Sequence, residues 1–148
     1  MRVLFVCTGN TCRSPMAEAI LNREIQSGHR DGWAALSAGL FPSVGAPAAA
    51  HAQTVMQARG ADLSSHRSRR LAAAYIDAAD RVVTMTTAMK ATVAAMYPEA
   101  GEKIITLSEW AGETGDVVDP FGGSAADYER CADDIEQKIL RALAQAEK

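Results

Sequence analysis

The sequence predicts a single-domain α/β protein of three layers, a four-stranded parallel sheet flanked by helices. Short apolar runs at Val3 to Val6, Trp33 to Leu36, Arg81 to Met85 and Ile104 to Leu107 alternate with helix-period segments near Pro15 to Gln26, Pro47 to Arg59, Thr87 to Met96 and Ala125 to Ala146. Such βα repetition implies parallel strands with helices on both faces and a site at the carboxyl ends of the strands. At 148 residues, 48% of them apolar, the chain has the size of one domain with a substantial core, so residues 1–148 are read as one unit.

The first strand ends in Cys7, and the loop Thr8-Gly9-Asn10-Thr11-Cys12 that follows is short, polar and glycine-bearing. Its backbone N–H groups can turn inward and cradle a tetrahedral anion, which makes it a candidate phosphate-binding loop. Ser14 fits the N-cap preference and Pro15 the first helical position, so a helix is expected to aim unpaired N–H groups at the same cup. Arg13 adds a planar guanidinium that binds two phosphoryl oxygens at once. In that field Cys7 is expected to be a thiolate, since helix N-termini and cations lower a cysteine pKa from about 8.5 to roughly 3.5–7.5. A cysteine with an arginine six residues on is weak evidence alone. The conjunction of strand end, polar loop, arginine, serine and helix-starting proline is what points to a phosphate-attacking nucleophile.

The run Val6-Cys7-Thr8-Gly9-Asn10-Thr11-Cys12-Arg13-Ser14-Pro15-Met16-Ala17-Glu18 resembles the signature of the low-molecular-weight protein-tyrosine-phosphatase family. Asp119-Pro120-Phe121 would be an ordinary turn on its own, but it resembles that family's aspartate-proline-aromatic motif. The resemblance implies that Asp119 protonates the leaving group and then activates water, with a phosphocysteine on Cys7 between the two steps. It also makes Thr8, Gly9, Asn10, Thr11, Cys12 and Phe121 substrate-binding, with Asn10, Ser14, Ser37 and His66 bracing the loop by hydrogen bonds. Tyrosine-directed members usually carry a bulky aliphatic residue where Thr11 stands and paired aromatics where Phe121-Gly122 stands. With Gly115-Asp116-Val117-Val118-Asp119-Pro120-Phe121-Gly122-Gly123-Ser124, the chain resembles the bacterial protein-arginine phosphatase branch, in which the threonine is associated with phosphoarginine selectivity. Thr11 would then orient water near the scissile bond, Asp119 would pair with the guanidinium and Phe121 would stack on it. If Thr11 only fills space, tyrosine phosphatase activity is the alternative.

Other residues admit two readings. His66 is a loop brace or a solvated histidine beside the basic run Arg67 to Arg70, itself read as a hydrated surface. Cys12 is a small filler or the partner of Cys7 in a reversible disulfide that makes the enzyme redox-sensitive. Cys131 shares an apolar stripe with Tyr128, Ala132, Ile135, Ile139 and Leu143 and is expected to be buried and inert. Ser124 to Asp127 reads as a capping box opening the last helix.

His29, His51 and His66 have no ligand spacing, so no metal or other cofactor is expected. A net charge of -3 and a pI near 5.6 argue against nucleic acid, and no apolar run approaches a membrane span. Met1-Arg2 runs directly into the first strand, too brief for a signal peptide, and a needed free thiol suggests the reducing cytoplasm. Phosphorylated proteins are the expected partners, and oligomeric state stays open. A thiol-dependent arsenate reductase would need further cysteines between Cys12 and Cys131, where there are none. A non-catalytic phosphate sensor would have little use for Cys7, Arg13 and Asp119 together.

Overall fold

The computed structural model describes residues 1–28 and 30–146. Its strands β1 (Arg2–Cys7), β2 (Ala34–Gly39), β3 (Arg81–Thr84) and β4 (Ile104–Thr106) form one parallel sheet in the order β2-β1-β3-β4. Val3 to Cys7 are buried without alternation, which requires cover on both faces and hence three layers. Helices α1 (Arg13–Ser27), α2 (Ala50–Ala58), α5 (Leu107–Trp110) and α6 (Ala125–Ala146) pack on one another, while α3 (Ala73–Ala78) packs on β1 and α4 (Thr87–Met96) on β3 and β4. The chain leaves β1 toward β2 and later returns to β3 on its other side. That reversal opens a crevice at the carboxyl end of β1, where Cys7 lies.

The expected bounds of α4 and α6 agree with the structure, and the buried stripe of α6 contains Tyr128, Cys131, Ala132, Ile135, Ile139 and Leu143. The capping pair is formed: Ser124 N donates to Asp127 Oδ2 (2.9 Å) and Asp127 N to Ser124 Oγ (3.2 Å).

Several expectations need correction. β2 runs on through Ser37, Ala38 and Gly39, residues too small to announce a strand, because Cys7 pairs with Gly39. α2 starts at Ala50 rather than Pro47, since the N–H of Ala49 donates to Thr11 O (2.9 Å) and holds the chain extended against the loop. β4 stops at Thr106, whose hydroxyl and Glu109 form a reciprocal cap on α5. The helices α3 and α5 and the 3₁₀ segment Pro98–Lys103 were not foreseen as elements.

Ser14 is not an N-cap. α1 begins at Arg13 with Cys12 in the cap position and no side-chain cap, because the Ser14 hydroxyl is drawn to the loop instead. Pro15 then falls in the first turn, where a missing N–H costs nothing.

Gly39 is wedged between β1 and the segment 69–71: its N–H donates to Arg69 O and its carbonyl accepts from Leu71 N, both at 2.9 Å. A Cβ there would stand 2.9 Å from Thr8 O and 3.0 Å from Asn10 Cβ, closer than real contacts and against backbone that cannot yield. Gly39→Ala is therefore expected to lower stability by about 1–3 kcal/mol. A urea unfolding midpoint equal to the parent's would disprove this crowding.

Candidate active site

Cys7 is only 3% exposed, yet it lines a cavity of about 220 Å³ together with Thr8, Gly9, Thr11, Cys12, Arg13, Asp119 and Phe121. All the residues expected to touch substrate or perform chemistry are thus collected there, with one exception. Asn10 does not line the cavity. Its side chain is fully buried and turned into the protein, where hydrogen bonds hold it.

Asn10 is also the one non-glycine residue with positive φ among those described, at 57°. Asparagine tolerates this left-handed conformation better than most residues, and here it gives the loop its reversal. Asn10 Nδ2 donates to Ser14 Oγ and Ser37 Oγ, each at 2.9 Å, and Asn10 Oδ1 accepts from Arg69 N at 3.0 Å. The Ser37 hydroxyl in turn donates to Glu18 Oε1 at 2.6 Å. His66 Nε2 lies 2.8 Å from the Asn10 carbonyl, an acceptor, so that nitrogen carries the proton. His66 is buried, and the brace is the arrangement found. The backbone of the basic run joins in through Arg69, so this segment is more than a hydrated surface.

The network ends on the nucleophile. Ser14 Oγ stands 2.9 Å from Cys7 Sγ and accepts from Asn10 Nδ2, so its hydroxyl proton is free to turn to the sulfur when that is a thiolate. The first N–H groups of α1 and the Arg13 guanidinium complete the electropositive surroundings.

Arg13 is buried, so its charge needs partners. Nη1 donates to Val117 O at 2.9 Å, and Nη2 lies 3.5 Å from Asp119 Oδ2. The candidate acid therefore reaches the cup as the chain stands. Asp119 itself is half exposed, and its other oxygen accepts from Phe121 N at 3.0 Å. Phe121 forms a wall that is 77% exposed.

Cys12 Sγ sits 3.3 Å from Tyr128 OH, and Tyr128 in turn packs against the ring of His51. Burial pushes the Cys12 thiol up, outweighing the hydrogen bonds from Tyr128 and Thr11, and burial likewise raises Tyr128. All three cysteines are free thiols. Cys131 is buried as expected, with its thiol directed at Val118 O (3.6 Å), and burial pushes it up to about 12 despite the nearby Arg13. His29 lies outside the described residues.

Residues that the sequence did not mark include Glu18, the Val117 carbonyl and Tyr128. Glu18 stands inside the signature, and only its spacing on α1 behind Ser14 could have signalled a role.

Residues 2–148 match the family described as low molecular weight phosphotyrosine protein phosphatase. The chain is 42% identical to a protein-arginine-phosphatase of Geobacillus stearothermophilus, over 95% of this chain and 92% of that one. It is 40% identical to a protein-arginine-phosphatase of Bacillus subtilis, over 97% and 95%. Among solved structures it resembles a low molecular weight protein tyrosine phosphatase from T. tengcongensis, with a TM-score of 0.94, 41% identity and coverage of 98% and 99%. It also resembles an arginine phosphatase mutant with a phosphorylated active site serine in place of cysteine, with a TM-score of 0.90, 38% identity and coverage of 99% and 95%.

A thiol with a raised folded-state pKa stabilises the fold below its unfolded value, near 9, and that contribution is lost as pH climbs through about 12. In this window the unfolded chain has released a proton that the folded chain still holds. Unfolding free energy is therefore expected to fall as pH rises above 9, and to fall less steeply in Cys131→Ala. Parallel slopes for the two proteins in urea titrations would contradict the assignment.

Proposed function

The chain belongs to the low-molecular-weight phosphotyrosine protein phosphatase family, and from that footing we propose that it hydrolyses phosphoarginine in proteins through a phosphocysteine on Cys7. The observation that carries this reading is the convergence of Cys7, Arg13 and Asp119 on one cavity walled by Thr11 and Phe121.

In the first step Cys7 Sγ attacks phosphorus in line, the S–P bond forms and the P–N bond breaks. Asp119 gives its proton to the departing guanidine nitrogen. Arg13 spends one N–H on Val117 O, leaving the others, with the loop amides, to hold the equatorial oxygens as charge builds on them. In the second step Asp119, now a carboxylate, takes a proton from water, whose oxygen attacks phosphorus. The S–P bond breaks, inorganic phosphate leaves and Cys7 is restored.

Cys7 sits on the braced cup, so the nucleophile is positioned before substrate arrives and little reorganisation remains for the reaction. The roles of Thr8, Gly9 and Cys12 are to present backbone around the phosphoryl group. Ser14, Ser37 and His66 keep the cup in shape through Asn10.

Three observations favour arginine over tyrosine. Thr11 puts a hydroxyl on the cavity wall, where an aliphatic side chain would favour a phenyl ring. Asp119 offers a carboxylate to a cationic leaving group, which a phenol lacks. Phe121 is followed by Gly122 at a φ of 78°, so one ring rather than two flanks the entrance. The two protein-arginine-phosphatase relatives at 40% identity and above point the same way. The second reading is hydrolysis of phosphotyrosine by the same steps, favoured by the likeness to the tyrosine phosphatase of T. tengcongensis.

We read residues 1–148 as one phosphatase domain acting on phosphorylated proteins. No described helix is long and apolar enough to cross a membrane. A nucleophilic thiol beside a second cysteine fits the reducing cytoplasm.

Cys7→Ser is expected to lower steady-state turnover about a thousandfold or more while phosphate still binds. Undiminished hydrolysis would remove the mechanism. Asp119→Asn is expected to slow phosphocysteine formation by roughly a hundredfold to ten-thousandfold, read by single-turnover quench. Turnover of phosphoarginine and phosphotyrosine peptides measured side by side should favour the former, and Thr11→Ile should move the ratio toward phosphotyrosine. An unchanged ratio would leave Thr11 without a part in selectivity.

A further inference from the structure

We propose that Asp116 is a positioning residue for Asp119: by gripping the first turn of α4, it fixes the strand of loop from which the proton donor projects. This rests on the reading above, in which Asp119 protonates the leaving group.

Asp116 Oδ1 accepts two hydrogen bonds from one residue, Thr87 N at 2.8 Å and Thr87 Oγ1 at 3.1 Å. Thr87 opens α4, whose N-cap is Thr86, so the carboxylate sits at the positive end of the helix. One residue later, Val117 N donates to Met85 O at 2.9 Å and Val117 O accepts from Arg13 Nη1 at 2.9 Å. The pair 116–117 is thereby tied to α4, to Met85 just after β3 and to the arginine of the cup.

Beyond this anchor the polar ties are longer: Val118 O takes only the Cys131 thiol at 3.6 Å, Asp119 Oδ2 stands 3.5 Å from Arg13 Nη2, and Pro120 is buried. Val118 is 79% exposed and Asp119 half exposed, and Gly122 and Gly123 intervene before the capping pair of α6. Two residues of extended chain reach at most about 7 Å. The place of the Asp119 carboxyl is therefore set in large part from the Asp116–Val117 side, together with Arg13, and the glycines make the chain after Phe121 compliant.

Asp116 has no contact with the cavity, so its effect must run through Asp119 and scale with the demand for a proton. The test compares kcat/KM, which reports the first chemical step, for phenyl phosphate and dinitrophenyl phosphate; the second has a leaving group acidic enough to depart unaided. Asp116→Ala is expected to lower kcat/KM about tenfold on phenyl phosphate and less than about twofold on dinitrophenyl phosphate, a fraction of the full general-acid contribution. Asp116→Asn keeps the accepting oxygen and should stay near the parent. Thr87→Val removes only the hydroxyl bond and should shift the same ratio by about threefold, which keeps the test open if Asp116→Ala folds poorly.

Equal losses on both substrates, parental activity in Asp116→Ala, or an Asp116→Asn protein as impaired as Asp116→Ala would each overturn the proposal. Asp119→Asn, run alongside, separates the two levels of inference. A steep leaving-group dependence there without one in Asp116→Ala sinks the role of Asp116 alone, whereas its absence in Asp119→Asn sinks Asp119 as the acid.

Discussion

The left-handed turn at Asn10 is the constraint on which the site depends. An L-residue pays roughly 1–2 kcal/mol for this conformation, asparagine less, and the structure sets four hydrogen bonds against that cost. Their partners come from α1, from β2 and from the segment 66–69, three parts of the chain far apart in sequence. A fully satisfied buried polar network of this kind specifies one geometry, because every displacement strands a donor or acceptor away from water. The shape of the cup is thus a property of the whole fold rather than of the loop that forms it.

Close packing of small residues makes the network possible. Gly39 allows β2 and the segment 69–71 to meet the loop at contact distance, and Ser37 is short enough to stand between Asn10 and Glu18. The same small residues explain what the sequence concealed. β1, α4 and α6 were legible because apolar periodicity is dense there, and the nucleophile, the arginine and the distant aspartate were legible because the chemistry demands those residue types. The end of β2 was not, since Ser37-Ala38-Gly39 lacks the branched and aromatic residues that mark strands.

Ser14 shows a different kind of failure. Serine before proline is a sound local signal for a helix start, yet a tertiary partner, Cys7 Sγ, competes for the hydroxyl and wins. Local capping is worth about 1 kcal/mol, whereas leaving the buried partners of this hydroxyl unsatisfied costs about 1–3 kcal/mol. Glu18 and Tyr128 were hard to read for the complementary reason: Tyr128 touches Cys12 of the loop and Glu18 reaches Asn10 through Ser37 of β2, contacts that only the tertiary structure makes.

Rigidity is not shared evenly across the site. The side that attacks phosphorus is buried and held by hydrogen bonds on both side-chain atoms and the carbonyl of Asn10, whereas the side that delivers the proton is half exposed and anchored mainly from one end. This division follows from what each part must do. Phosphoryl oxygens present the same tetrahedron in every substrate, so a preformed cup loses nothing by being stiff. The leaving group belongs to a protein surface that must approach and depart, and its proton donor has to sit where that surface can be admitted. Arg13 joins the two sides, since one guanidinium nitrogen holds the base of the acid loop while the opposite one faces Asp119 beside the cavity. A single buried cation therefore registers donor against nucleophile.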